Sequence, residues 1–347
     1  MGNCLCFAKK HIIKGTKATE LTQTDAPSPH NPNGFFTEYT FINAQGLELH
    51  GYEAQPKGRK RGVVVLQHGV NAHALWEYLI AETPGGLHTQ VEGSFAGCLL
   101  ANGFAVHLLD LQGHGKSDAA RDERFFFEEF DDLAKDFLHF VELVRKREQL
   151  ISRSGYSMFG PPADLPIFAS GLSMGGGVVV GAAMKSPEFV KGLILFAPML
   201  SLERLAKKPI NKILRPLASL VSTVCPTARI AQTEKNTTFP HMEDEMQNDP
   251  MCNHIHFACA RTAAECIQWS DFMTKQGGFA MVKTPFITLH SPTDNYVDPA
   301  SSEGLMTHAQ TQDKQVYWAD GMWHCLTNEP GKEKIFEKVM TWLDEHC

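Results

Sequence analysis

Residues 165–188 read LPIFASGLSMGGGVVVGAAMKSPE, and this stretch decides the fold. An apolar run ends at Ser173, and glycines stand at 171 and at 175–177. The pattern predicts a strand, a tight turn and a helix. GLSMG fits the G-x-S-x-G motif in that context, which is typical of a nucleophilic serine on a strained turn. The bare motif is common, so its interpretation depends on the rest of the chain.

Short apolar runs recur on both sides of this motif, and strands buried on both faces have this pattern. They are GVVVLQHG (62–69), FAVHLLD (104–110), LPIFASG (165–171), VKGLILFAP (190–198), TPFITLH (284–290) and KQVYWAD (314–320). Helical patterns lie between most of them, at 128–148, 174–185, 299–310 and 332–346. Strands that alternate with helices predict an α/β fold with a mostly parallel central sheet flanked by helices.

Two segments depart from this alternation. Residues 1–34 end in a polar stretch with three prolines, which predicts an N-terminal tail and linker ahead of a domain at 35–347. Two alternating segments at 37–44 and 47–54 predict an antiparallel hairpin at the start of that domain. Between 198 and 284 no buried-strand run occurs, so we expect a helical cap insertion at about 201–282.

Composition excludes several classes of function. The net charge of -7 disfavours binding of nucleic acid by the protein as a whole. No apolar run reaches the roughly 18–20 residues of a membrane-spanning helix, and no signal peptide is visible. The nine cysteines are scattered, which indicates reduced thiols in a cytosolic compartment. Neither CxxC nor HExxH occurs, so we expect no metal and no cofactor.

A serine nucleophile needs a base, and the base needs an orienting acid. On this scaffold the expected order is serine, acid, histidine. HSPTDNYVDP follows the strand at 284–290 and offers Asp294 and Asp298. Because Asp298 precedes a proline and a helical pattern, it suits a helix cap, so Asp294 is assigned as the acid. His324 follows the strand at 314–320 and is assigned as the base.

The tetrahedral intermediate also needs two N–H donors. The backbone of Met174, directly after the serine, should supply one. The loop after the strand at 62–67 should supply the other, and Val70 is the predicted donor. His68 and Gly69 are expected to shape that loop, with His68 in a structural role.

Four motifs together resemble those of one family. They are QHGVNAH (67–73), LDLQGHGKSD (109–118), GLSMGGG (171–177) and HSPTDNYVDPASS with DGMWHC (290–302 and 320–325). In this order they resemble the monoacylglycerol lipase and lysophospholipase-like serine hydrolases of the α/β-hydrolase fold. The likeness spans about 37–347 and implies Ser173, Asp294 and His324 as the triad, with Val70 and Met174 as oxyanion donors. Residues 81–93 and 151–164 look like extra loops.

The amino terminus reads MGNCLCF, which presents Gly2 for myristoylation once Met1 is removed. The usual pattern wants Ser or Thr at position 6, where this chain has Cys6. One myristoyl chain binds a membrane only marginally, so a second signal is needed. Palmitoylation of Cys4 or Cys6, with nearby lysines, would provide it and would tether the protein to the cytoplasmic face of a membrane. The alternative is an unmodified tail.

These features predict a serine hydrolase that cleaves a lipid ester, with monoacylglycerol as the first candidate substrate. A lysophospholipase and an acyl-protein thioesterase are the alternatives within enzymes, because the triad does not separate them. The alternative from another class is a ligand-binding protein that keeps the hydrolase fold with little turnover. The sequence does not indicate an oligomeric state.

Overall fold

The computed structural model describes residues 21–24, 29–153, 165–204, 221–232, 235–236 and 238–347. Within them the strands are β1 Thr22–Thr24, β2 Thr37–Ile42, β3 Glu48–Ala54, β4 Gly62–Gln67, β5 Ile80–Ala81, β6 His88–Gln90, β7 Phe104–Leu109, β8 Ile167–Leu172, β9 Gly192–Phe196, β10 Arg229–Gln232, β11 Phe257–Cys259, β12 Phe286–His290 and β13 Lys314–Trp318. The helices are α1 Ala74–Tyr78, α2 Phe95–Ala101, α3 Phe130–Arg153, α4 Met174–Lys185, α5 Pro240–Asn248, α6 Ala260–Lys275, α7 Ala300–His308 and α8 Lys332–His346, with 3₁₀ turns at Ala120–Asp122 and Gly278–Met281.

A nine-stranded sheet organises the domain, in the order β1-β2-β3-β7-β4-β8-β9-β12-β13. The last six strands in this order pair in parallel, while β1, β2, β3 and β7 pair antiparallel. Strands β4, β7, β8, β9 and β12 are buried at every residue, as strands covered on both faces must be. The predicted mostly parallel sheet and the predicted hairpin of β2 and β3 are both confirmed.

Two helical layers cover the sheet. In β4, Val63 and Val65 pack into a core with α3, α4 and α6, whereas Val64 and Leu66 pack into a second core with α1, α2 and α8. This alternation follows from the period of two in a strand, which sends successive side chains to opposite faces. The carboxyl ends of the parallel strands therefore lie between two helical layers, where α/β sheets bind ligands.

The described part of the insertion between β9 and β12 contains α5, α6 and a small antiparallel pair of strands, β10 and β11. The sequence indicated helices alone. Half of the residues in β10 are exposed and β11 has three residues, so neither produces a buried-strand pattern. The pair is tied to the body of the domain where Arg229 meets the carboxylate of Glu123 at 2.6 Å.

The described residues of the N-terminal segment contact the domain. Strand β1 pairs with β2, and the amide of Asn31 donates to Phe36 O at 2.8 Å and to Glu38 at 3.0 Å. His30 is fully buried. The lipidation candidates Gly2, Cys4 and Cys6 lie outside the described residues. Among the helices that the structure describes, none has the length and apolar character needed to cross a bilayer.

Candidate active site

Ser173 stands on a strained turn between β8 and α4, at φ 56° and ψ −121°. Its N–H donates to Phe196 O at 2.9 Å, which holds the turn against β9. A Cβ on Gly171 would overlap the carbonyl of Gly175, and a Cβ on Gly175 would overlap the carbonyl of Gln67. The glycines are therefore required by close backbone approach, and the turn presents the serine at the end of the sheet.

The structure brings Asp294 and His324 together. The imidazole Nδ1–H donates to Asp294 Oδ2 at 2.7 Å. The other carboxylate oxygen accepts the N–H groups of Tyr296 at 2.8 Å and Val297 at 2.9 Å, so the acid is fixed on both sides. His324 and Ser173 line the same pocket. Because Nδ1 faces the acid, Nε2 is the nitrogen left to act as a base.

Charge at this pair follows from its surroundings. Burial alone would lower the pKa of His324, but the Asp294 carboxylate outweighs it and holds that pKa above the usual value. Burial would raise the pKa of Asp294, yet the nearby imidazoles of His324 and His290 hold it well below its usual range. Asp294 is thus ionised near neutral pH and stabilises a proton on His324.

Asp298 is placed at a helix start. Its Oδ1 accepts the N–H of Ala300 at 3.1 Å and lies 3.3 Å from Arg204 Nε. The helix begins at Ala300 with Pro299 before it, one residue later than the sequence pattern indicates. The two candidate acids are therefore separated by geometry: Asp294 contacts His324, and Asp298 caps α7.

One predicted oxyanion donor directly follows Ser173 in sequence, and the other lines the same pocket. Met174 is the first residue of α4, and Val70 lines the pocket in the loop after β4. Within the described part of the chain, neither main-chain N–H donates to a protein acceptor. Both therefore have a proton to offer a ligand oxygen. The Val70 carbonyl accepts from His114 Nε2 at 2.8 Å, which holds the loop.

His68 has the structural role expected of it. Leu111 N–H donates to His68 Nε2 at 3.0 Å, and the opposite nitrogen, Nδ1, lies 2.7 Å from Gly69 O. Burial lowers the pKa of His68 to about 3, so the ring is neutral. With both nitrogens engaged, it has no free position from which to serve as a base.

Three buried side chains at the site were missed by sequence reasoning. Glu329 accepts three consecutive main-chain N–H groups, those of residues 323, 324 and 325, at 2.6, 2.7 and 2.6 Å, and so holds the loop that carries His324. His290 Nε2 lies 3.3 Å from Asp294 Oδ2. Glu77 accepts the N–H of Gly69 at 3.1 Å. Only His290 had a local signal, its strand-end position in HSPTD.

Glu77 interacts with His324 and with the loop at 68–73, here called the oxyanion loop because it carries the predicted donor Val70. Burial raises the pKa of Glu77 to about 7, an effect opposed by the Gly69 N–H and by His324. The charge of Glu77 in turn raises the pKa of His324.

Turnover needs a neutral imidazole, so kcat/KM should fall as pH drops through the raised pKa of His324. In Glu77→Gln we expect this acid limb to move to lower pH. Gln keeps an acceptor for Gly69, so kcat/KM at higher pH should fall less than about tenfold. A pH–rate profile against a soluble ester checks both, and an unmoved limb would contradict the coupling.

The pocket over Ser173 is mostly apolar. Its lining residues are Gly69, Val70, Asn71, Ala72, Trp76, Glu77, Leu172, Ser173, Asn236, Met242, Glu243, Met246, His256, Tyr296, Trp323, His324 and Cys325. Met242, Glu243 and Met246 come from α5, so the cap forms one wall. No lysine or arginine is among the described lining residues, whereas several are aromatic or aliphatic.

The loop at 81–93 packs against α5 and Trp76, which line the pocket. It forms the β5–β6 hairpin, in which His88 stacks on Trp76 at 4.9 Å and pairs with Glu245 of α5 at 3.1 Å. Asn248 donates to Gly85 O at 2.8 Å. The hairpin therefore fixes the cap helix that lines the pocket. Most of the loop at 151–164 lies outside the described residues.

Comparisons with known proteins agree with this architecture. A family model described as Hydrolase_4, serine aminopeptidase, S33, matches residues 85–331. A monoacylglycerol lipase from Mycolicibacterium smegmatis is 23% identical over 312 residues, which cover 89% of this chain and 98% of that protein. A Mus musculus monoglyceride lipase is 22% identical over 310 residues, covering 87% and 88%. The crystal structure of a Paleococcus ferrophilus monoacylglycerol lipase aligns with a TM-score of 0.65 at 20% identity, covering 86% of this chain and 99% of that one.

Proposed function

The chain belongs to the Hydrolase_4 (serine aminopeptidase, S33) family and is a serine ester hydrolase with a monoacylglycerol lipase-like α/β-hydrolase fold. We propose that its substrate is a monoacylglycerol, which it cleaves through Ser173, Asp294 and His324. The observation that carries the proposed triad is the 2.7 Å contact between His324 Nδ1 and Asp294 beside a strained Ser173. The proposed substrate class is supported by the names of the relatives and by the pocket lining.

The proposed reaction has two halves. Ser173 Oγ attacks the ester carbonyl as His324 Nε2 takes its proton, and the oxyanion accepts the N–H groups of Val70 and Met174. Collapse of this intermediate breaks the ester bond, and the imidazolium protonates the departing glycerol oxygen. Water then attacks the acyl-serine with the same base, releases the fatty acid and restores Ser173. Asp294 keeps the imidazole oriented throughout.

The pocket favours a neutral leaving group. Its described lining has two acids, Glu77 and Glu243, and no lysine or arginine side chain. A phosphate ester would place negative charge beside these carboxylates, with no lysine or arginine in the described lining to compensate it. Asn71 and Asn236 supply uncharged polar groups suited to hydroxyls, and the apolar lining suits an acyl chain.

The experiment that tests this assignment compares three substrates that share one acyl chain: a monoacylglycerol, a lysophosphatidylcholine and an acyl thioester, all in the same detergent micelles. We expect the highest kcat/KM for the monoacylglycerol. Equal or faster turnover of lysophosphatidylcholine would identify a lysophospholipase, and preference for the thioester would identify a thioesterase. Stoichiometric binding with no release of fatty acid would indicate the ligand-binding alternative.

We further propose that acyl chains on Gly2 and on Cys4 or Cys6 hold the enzyme at the cytoplasmic face of a membrane. Its lipid substrate partitions into bilayers, so tethering raises the effective concentration that the enzyme meets. A single myristoyl chain binds with a constant of only ~10⁴ M⁻¹, which is why two signals are proposed. The support is the sequence of the tail alone.

Gly2→Ala is expected to shift the protein from the membrane fraction to the soluble fraction of cells. Cys4→Ser with Cys6→Ser should retain weak, reversible binding through the remaining myristate and the lysines. Hydrolysis of a water-soluble short-chain ester should be unchanged in both, because the substitutions lie far along the chain from the site. Fractionation with metabolic acyl labelling measures this, and a Gly2→Ala protein that stays on membranes would rule out the tail as the anchor.

A further inference from the structure

Three fully buried side chains from distant parts of the sequence meet beside the oxyanion loop: His30, His73 and Asp249, here called the His-His-Asp cluster. The Nε2 atoms of the two imidazoles lie 3.3 and 3.0 Å from the same oxygen, Oδ2 of Asp249. The possible metal-ligand atoms of all three residues lie within 4.8 Å of one another. Among the described residues, no other three side chains of metal-binding type converge in this way.

Two of the three ligand separations in the cluster match tetrahedral coordination. Ligand atoms at about 2.0–2.1 Å from Zn²⁺ stand about 3.3 Å apart, close to the two observed separations. Asp249 Oδ1 accepts the N–H of Met251 at 2.9 Å, which leaves Oδ2 directed at the imidazoles. Asp294 is also flanked by two histidines, His290 and His324, but the donor atoms there do not converge within 4.8 Å. An aspartate flanked by two histidines therefore does not by itself bring three ligand atoms this close together, whereas the His-His-Asp cluster does.

A second buried carboxylate, Asp110, lies near the cluster. Asp110 is fully buried and contacts the main chain directly after His73. Its oxygens accept the Ala74 N–H at 2.9 Å and the Tyr52 hydroxyl at 3.0 Å. Neither aspartate pairs with a lysine or arginine side chain among the described residues. Two buried carboxylates need compensation, and a divalent cation would supply it.

We propose that the cluster of His30, His73 and Asp249 binds a divalent transition metal, with Zn²⁺ as the preferred ion. Two imidazoles and one carboxylate are ligands that Zn²⁺ accepts, with a fourth position open to water. The three residues are too far apart in sequence to form a contiguous zinc motif, which is why sequence patterns gave no sign of them.

The position of the cluster gives the metal a structural role. His73 lies directly before α1 and three residues after Val70, His30 belongs to the N-terminal segment, and Asp249 follows α5 in the cap. A bound ion would join the oxyanion loop, the N-terminal segment and the cap at one point. It would stabilise the fold without taking part in ester cleavage, because the triad lies outside the cluster.

The test is the zinc content of the full chain, expressed without a polyhistidine tag in zinc-supplemented medium and freed of excess metal by gel filtration. We expect about one zinc per chain, and a loss of affinity greater than about 100-fold in His30→Ala and Asp249→Asn. A chelator should lower the melting temperature of the unmodified protein and leave that of His30→Ala unchanged. His88→Ala is the matched control, because it also removes a buried imidazole. His88 and Glu245 form a pair that offers only two metal-ligand side chains, so this variant should keep its zinc.

Cobalt substitution identifies the ligands if Asp249→Asn fails to fold. Co²⁺ added to metal-free protein should give a tetrahedral visible spectrum that His30→Gln abolishes. A sulfur-to-cobalt charge-transfer band would place the metal on cysteines and overturn the proposal. A zinc content below about a tenth of an equivalent after supplementation would also overturn the proposal, and the cluster would then be a hydrogen-bonded His-Asp-His group. Full retention of zinc by His30→Ala would overturn it as well.

Discussion

Ser173→Ala is expected to lower kcat for ester hydrolysis by about 10⁵–10⁶-fold, the scale seen when the nucleophile of a serine triad is removed. The melting temperature should stay unchanged. Alanine keeps the Cβ, and the main-chain bonds of Ser173 to Phe196 at 2.9 Å and to Met199 at 2.8 Å do not involve the hydroxyl. Steady-state kinetics and thermal unfolding measure the two quantities separately.

Ser170→Ala is the matched control for this variant. Ser170 is a fully buried serine in β8, three residues before Ser173, and it does not line the pocket. Its loss should leave kcat close to that of the unmodified enzyme. If Ser173→Ala retained more than about a hundredth of the activity, another group would be the nucleophile and the turn at Ser173 would have only a structural role.

Asp294→Asn is expected to lower kcat by about 10⁴-fold, because asparagine holds the imidazole in the wrong tautomer. Asp298→Asn should have little effect. Asparagine caps a helix nearly as well as aspartate, and the Arg204 partner is half exposed, so the ion pair is worth at most about 1 kcal/mol. The two substituted residues are four positions apart in one loop, so each variant is a matched control for the other.

The pH dependence distinguishes a catalytic acid from a merely structural one. The Asp294 carboxylate raises the pKa of His324, so the acid limb of kcat/KM should move to lower pH in Asp294→Asn. In Asp298→Asn the limb should not move. A larger loss of kcat in Asp298→Asn than in Asp294→Asn would show that their roles are reversed.

Much of the fold could be predicted because buried parallel strands have a strong local signature. All six apolar runs are strands, and the helix predicted at 174–185 is α4 with the same bounds. The helix predicted at 128–148 begins at Phe130 and continues to Arg153. Strands β1, β10 and β11 were missed, because three or four residues are too few to create a periodic pattern.

The proposed triad residues could be picked out because each follows a strand at one edge of the sheet, so topology alone brings them together. The supporting residues were not. Glu329 acts through main-chain N–H groups, which have no sequence signature. His30 meets Asp249 across 219 positions because the cap folds back onto the N-terminal segment, a contact set by tertiary packing. Sequence reasoning therefore points to candidate reacting groups more readily than to the residues that position them.

The identity of the nucleophile is tested most directly by covalent labelling of the full chain with a fluorophosphonate, followed by peptide mapping. The reagent reacts with an activated serine and leaves a stable phosphonate ester on its Oγ. We expect one adduct per chain, on Ser173 within the stretch GLSMGGG, blocked by prior incubation with a monoacylglycerol analogue and absent from Ser173→Ala. An adduct on any other residue, or full labelling of Ser173→Ala, would contradict the proposed mechanism.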